Sequence, residues 1–310
     1  MSKRGRIQTV LGPIDPADAG VTMSHEHVLF DGWDMFRTYE SIFDDEALAI
    51  SELADLATAG GRTVVDCTNQ GIGRDPHGLA RVSAATGLNI VMGAGWYRSA
   101  VYPAQVREWG VDQLADALVA EIESGVDGSG IRPGFIGEIG TERGRIGAAE
   151  ERVFRAAARA QRATGVAIWT HTTNAGELAI EQVDLLRSEG VPVDRIVLSH
   201  IGDRISFEPL AAIAATGAFV SVDNIGYVGG GYPPEERRAE NVHRLIEAGH
   251  IDQVLLSGDT CTKSQLQAYG GRGYGRVVRD FVPLLAERGI GPDMITRMLV
   301  DNPARALTIG

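Results

Sequence analysis

The sequence predicts a (β/α)₈ barrel built as a single domain over residues 1–310. Three observations carry this expectation. Eight short apolar runs rich in β-branched residues recur along the chain, amphipathic helical patterns separate them, and no Pro/Gly/Ser linker or low-complexity tract divides it. A length of 310 residues is ordinary for one α/β barrel. A doubly wound sheet is the alternative arrangement of the same units, because periodicity alone does not show closure.

In chain order the runs are "VTMSHEHVLF", "RTVVDCT", "LNIVMGAG", "PGFIGEIG", "VAIWTHT", "RIVLSH", "GAFVSVDN" and "QVLLSGDT". Each is continuous rather than alternating, as expected of parallel strands buried on both faces. Residues 1–20 precede the first run and are expected to cap the barrel. The intervening helices include "DDEALAISELADLATAG" and "AAEERVFRAAARAQRATG". The second begins with acids and ends in Gly165, which suits the helix dipole and a C-cap.

Most runs end in a residue able to do chemistry. His25 and His27 end the first, Asp66 the second, Glu138 the fourth, His171 the fifth, His200 the sixth, Asp223 the seventh and Asp259 the eighth. In a barrel these ends converge on one face, where active sites lie. His-x-His on a strand points both imidazoles to one side. Two imidazoles side by side suit a divalent metal. Glu26, between them, points away and is expected to be structural. Glu138 is an acid in an apolar, glycine-rich run and needs a partner if buried. Its candidates are a metal or an arginine, Arg98 or Arg143. Asp66 reads as a supporting or strand-end acid, Asp223 as a salt-bridge partner or substrate contact rather than a ligand, and Cys67 and Cys261 as buried free thiols near the mouth. His77, in a loop, and His243 and His250 read as surface residues.

Composition narrows the function. The chain is 44% hydrophobic and 23% charged, with a net charge of −12, which argues against a nucleic-acid partner. The apolar run "LAAIAATGAFVSV" is too short to span a bilayer. "MSKRGRIQTV" has no apolar core of a signal peptide. Two cysteines fit a reducing cytoplasm, the expected location. Lys3 and Lys263 are the only lysines.

Taken together, "IQTVLGPIDPADAG", "MSHEHV", "THT", "LSHIGD", "SGDT", "LQAYGGRGYG" and "DNPARAL" resemble the phosphotriesterase family of the amidohydrolase superfamily. The likeness covers nearly the whole chain. It implies two metal ions at the top of the barrel and a homodimer. His25, His27 and Asp259 would hold the buried ion, and His171 and His200 the more exposed one. Phosphotriesterases proper bridge the ions with a carboxylated lysine. No lysine lies between Lys3 and Lys263, so Glu138 is the candidate bridge. "GEIG" and "YGGRGY" resemble the phosphotriesterase-homology branch, which includes the phosphotriesterase-related proteins that hydrolyse N-acetyltaurine. Glu138 falls about one residue later than the lysine, so a bulge is expected to turn it inward.

The expected chemistry is hydrolysis by a hydroxide shared between two divalent ions, with Asp259 accepting its proton. Zinc is the expected ion, and manganese or cobalt also suit the ligands. The substrate is expected to be a small molecule met by Trp96, Tyr97, Arg98, Asn224, Tyr227, Lys263 and Arg272 from the loops. If Lys263 anchors an anion, an acidic amide, ester or lactone is favoured over a neutral phosphotriester. The alternatives are a phosphoester or phosphotriester hydrolase and a non-catalytic ligand-binding barrel.

Overall fold

A computed structural model describes residues 5–173 and 176–310; residues 1–4 of the expected cap segment lie outside it. The eight runs form eight barrel strands: β1 Thr22–Glu26, β2 Thr63–Asp66, β3 Asn89–Ala94, β4 Phe135–Gly140, β5 Ile168–His171, β6 Ile196–Ser199, β7 Phe219–Val222 and β8 Val254–Leu256. They lie side by side in chain order, each paired in parallel with the next. Helices cover the outside, each βα crossover returning the chain to the same end of the sheet.

Helix signals in the sequence act as local physics requires. The helix Glu46–Thr58 starts at Asp45, whose carboxylate accepts from Leu48 N–H at 2.8 Å. The helix Ala148–Thr164 ends at Gly165 with φ 79°, a left-handed cap that glycine adopts without penalty. His77 is exposed but lies in the first turn of the helix Pro76–Thr86, not in a loop. Asp75 before Pro76 is the N-cap signal that marks this start.

The seam between β1 and β8 closes through side chains as well as backbone. Asp259 N–H donates to the His25 carbonyl at 3.0 Å, and the Ser24 hydroxyl donates to the Leu256 carbonyl at 3.2 Å. Ser257 Oγ accepts from His25 N–H at 2.9 Å. The buried Glu26 carboxylate accepts from Gly258 N–H at 2.7 Å and Thr260 N–H at 2.9 Å, and lies 2.8 Å from Ser257 Oγ. Glu26 is thus the structural acid expected, and it fixes the turn that presents Asp259. Glu26→Ala should destabilise the fold by on the order of 3 kcal/mol, because it strands buried donors. An unchanged melting temperature would contradict this.

The opposite end is plugged. Ile7–Thr9 and Gly12–Ile14 form an antiparallel hairpin. Buried Ile7 joins Val65, Phe135 and Trp169 in the apolar barrel interior. Arg6 and Ile309 exchange backbone hydrogen bonds, tying the two ends of the chain together. Cys67 belongs to this interior cluster rather than to the mouth, and burial pushes its thiol pKa up. Both cysteines are free.

Candidate metal centre

Six side chains from five strand ends meet inside the mouth, His25 and His27 both coming from β1. Glu138 is central and 2% exposed. Its Oε1 lies 3.5 Å from His27 Nε2, and its Oε2 lies 3.5 Å from His25 Nε2, 3.0 Å from His171 Nδ1 and 3.6 Å from His200 Nε2. Asp259 Oδ1 lies 3.4 Å from His27 Nε2 and 3.7 Å from His25 Nε2. Two groups of potential ligands share this one carboxylate: His25, His27 and Glu138, and Glu138, His171 and His200. Arg98 pairs with Glu142, so the arginine alternative for Glu138 is not what surrounds it.

The backbone is bent to make this cluster. The β4–β5 register shifts between Ile136 and Ile139, so β4 carries an extra residue there, the expected bulge. It lies at Gly137, whose φ of 143° suits glycine, and the Gly137–Glu138 peptide is cis. His200 and Asp259 have φ of 63° and 47°, conformations that non-glycine residues adopt at a cost.

Three of the four imidazoles are held from behind. His27 Nδ1 is 2.9 Å from Thr68 Oγ1, and Thr68 donates to Asp66 Oδ1 at 3.1 Å. His25 Nδ1 is 3.0 Å from Ser199 Oγ. Asp223 Oδ1 accepts from His200 N–H at 2.8 Å and lies 3.1 Å from His200 Nδ1. These contacts point His25 Nε2, His27 Nε2 and His200 Nε2 toward Glu138. Asp66 and Asp223 therefore support ligands. Ser199 and Thr68 escaped the sequence reading, although each hydroxyl sits beside a strand-end acid or histidine.

The donor set fits divalent cations. His25 Nε2 is fully buried without a hydrogen-bond partner, and it faces two carboxylates. Protons otherwise supply the missing positive charge. Burial alone would lower the His27 pKa, but Asp259 and Glu138 outweigh it and raise it to about 10. Burial also opposes the upward shifts of His25 and His200, where Glu138 and Asp223 prevail respectively. At His171 burial wins and lowers the value to about 4. Against their own burial, the imidazoles hold Glu138 well below the carboxylate range and Asp259 at about 2. A metal must displace the His27 proton at neutral pH. Zinc uptake should therefore release protons, and affinity should weaken as pH falls. Titration calorimetry in buffers of different ionisation enthalpy checks this; uptake without proton release would contradict it.

The expected substrate residues divide. Tyr97 lines the cavity over the cluster, with its hydroxyl 3.4 Å from His171 Nδ1. Trp96, one residue earlier, points the other way and donates to Gln70 at 2.8 Å. Arg98 is held by Glu142, and Asn224 donates to Asp203. Lys263 lies over the Tyr269 ring at 5.8 Å and does not line the cavity. Tyr227 and Arg272 line an adjoining cleft of about 430 Å³ between the loops after β7 and β8. The Tyr227 hydroxyl donates to the Asp259 carbonyl at 2.8 Å and lies 2.9 Å from Cys261 Sγ. His243 and His250 are half-buried rather than fully exposed, beside Glu247 and Gln253. No helix among the described residues is long and apolar enough to cross a membrane.

The chain is similar along its length to known proteins. The phosphotriesterase homology protein of Escherichia coli is 35% identical, covering 92% of this chain and 97% of that protein. Its crystal structure, with phosphate in the active site, superposes with a TM-score of 0.90 over 95% of this chain and 100% of that one. N-acetyltaurine hydrolase of Salmo salar is 32% identical, with 98% of each chain covered. A lactonase from Listeria monocytogenes has a TM-score of 0.92 at 30% identity, covering 98% of this chain and 99% of that one. The family model described as the phosphotriesterase family matches residues 5–307. This chain belongs to the phosphotriesterase family and is a metal-dependent hydrolase.

Proposed function

We propose that the enzyme is a binuclear hydrolase of small carboxyl-centre substrates, N-acyl amides or lactones and esters, with an anionic group. The observation that carries this reading is Glu138, one carboxylate facing two pairs of imidazoles. His25, His27 and Asp259 would hold one ion, His171 and His200 the other, and Glu138 both. Divalent ions held there, with zinc best matched to these ligands, would supply Lewis-acid chemistry: a lowered pKa for water and polarisation of the group under attack. Asp259 is ionised at neutral pH and lies at the cavity, where it accepts the proton of the attacking water. Thr68, Ser199 and Asp223 keep the imidazoles oriented throughout.

Two lines favour the carboxyl centre. The relatives named for a reaction cleave an N-acyl amide or a lactone. The cleft beside the cluster carries exposed Arg272, which suits an anionic group; buried Arg276 is held by the Ile225, Gly258 and Gly273 carbonyls and the Thr260 hydroxyl. Arg272, with Asp280 at 3.3 Å, is the cation best placed to read that charge; Lys263 is a second, more distant one. The phosphate in the Escherichia coli structure supports a phosphoester as the second reading.

A panel on zinc- or manganese-loaded protein separates the readings. It should contain N-acetylated amino acids and aminosulfonates, γ-lactones and an aryl phosphotriester. The best carboxyl-centre substrate should exceed the phosphotriester in kcat/KM by orders of magnitude. A leading phosphoester or phosphotriester would overturn the proposal. Arg272→Met should raise KM for the anionic substrate and spare a neutral ester; equal effects on both would remove Arg272 from charge recognition.

A further inference from the structure

The cavity over the cluster has two unlike sides. Glu138, His171, His200 and Asp259 form the floor. Phe30, Phe36 and Ile72 face it. This wall offers no hydrogen-bonding side chain. The cavity is small, about 30 Å³. At roughly 10–15 Å³ for each water-sized group, it has room for about two such groups. The neighbouring cleft, beyond the Tyr227–Cys261 contact, is far larger, and Tyr232, Thr262, Gln265 and Arg272 offer hydrogen-bonding groups in its lining.

Phe36 closes the small cavity from the solvent side. It is 43% exposed and comes from the loop 31–43 that follows β1. Its position is fixed by close packing. A Cβ at Gly32 would come within 2.9 Å of the Phe36 ring and 2.8 Å of the Phe30 ring. Phe36 N–H donates to the Gly32 carbonyl at 2.9 Å, and Gly32 N–H donates to the Ser41 carbonyl at 2.8 Å. Farther along, Glu40 accepts from Ser264 N–H at 2.7 Å, tying this loop to the loop after β8.

From this asymmetry we infer that Phe36 is a specificity-determining residue that limits the acyl side of the substrate to a short, apolar group, acetyl in size. This rests on the carboxyl-centre reading and orients its substrate. A charged leaving group placed against Phe30, Phe36 and Ile72 would lose its hydration with nothing to replace it. It belongs in the neighbouring cleft, where size is not limiting. The acyl chain belongs under Phe36, where each added methylene meets the ring. Acyl length is therefore discriminated sharply, and leaving-group size weakly.

The test uses the metal-loaded full chain and its Phe36→Ala variant. Aryl acetate, butyrate and hexanoate give the ratios of kcat/KM. Acetohydroxamate and hexanohydroxamate, which bind metal centres without being turned over, give the ratios of affinity by calorimetry. The wild type should favour acetyl over hexanoyl by on the order of 10-fold or more, and Phe36→Ala should move the ratio toward hexanoyl by about 10–200-fold, as for one methylene or more in an apolar pocket. Equal handling of both lengths by the wild type, or an unchanged ratio in Phe36→Ala, would overturn the inference. If no ester is turned over, the carboxyl-centre reading fails. The hydroxamate ratios then decide the cavity alone: chain-length selectivity lost in Phe36→Ala supports the role of Phe36, and its absence refutes it.

Discussion

Glu138→Gln should leave a folded protein that holds one divalent ion instead of two and has lost activity by orders of magnitude. The substitution keeps the shape of the side chain but removes its negative charge and one oxygen able to bind a cation. Two ions near Glu138 would then repel each other with less compensation. The four imidazoles now facing the carboxylate at 3.0–3.6 Å would face a neutral amide. Added bicarbonate should not rescue activity, because no lysine lies between Lys3 and Lys263 to be carboxylated. If Glu138 merely supported the strand, Glu138→Gln would cost stability by a few kcal/mol, as for a broken buried pair, and would keep both ions. Metal analysis of the folded variant separates these outcomes.

Asp259→Asn should produce the second large loss, in kcat more than in KM. Asp259 is set beyond β8 in a left-handed turn that Glu26 fixes from behind. Its carboxylate reaches both His25 and His27. The amide keeps an oxygen able to bind a cation but cannot take a proton from the attacking water. Loss of a positioned base lowers kcat by about 10²–10⁴-fold. If KM rose instead with kcat retained, Asp259 would be a substrate contact and not the proton acceptor. Metal content should be measured in the same variant, so that loss of an ion is not mistaken for loss of the base.

The sequence reading and the structure agree where burial dictates pattern. Strands covered on both faces read as unbroken apolar runs, so all eight were legible. A histidine or acid closing such a run had to face the mouth, which is why His25, His27, Glu138, His171, His200 and Asp259 converge as expected. The β4 bulge was foreshadowed by the family resemblance, which places Glu138 about one residue later than the bridging lysine of the phosphotriesterases. Legibility ended where strand alternation ended. Trp96 and Tyr97 are neighbours past β3, and only Tyr97 turns inward. Asn224 and Arg98 are held by Asp203 and Glu142, partners distant in sequence. Lys263 stands four residues after Asp259, but the short turn at 263–265 carries it over Tyr269. Phe36 went unnoticed because an aromatic residue closing a single helical turn, Trp33–Phe36, carries no periodic signal. Its role depends on how the loop 31–43 folds back against Ser264.

A pair of metal ions held at Glu138 would show in the metal content of folded wild-type protein purified without chelators, by elemental mass spectrometry against a measured protein concentration. Close to two divalent ions per chain are expected, removed by prolonged chelation together with activity and restored with it. A content near zero, or one ion with full activity, would contradict such a pair.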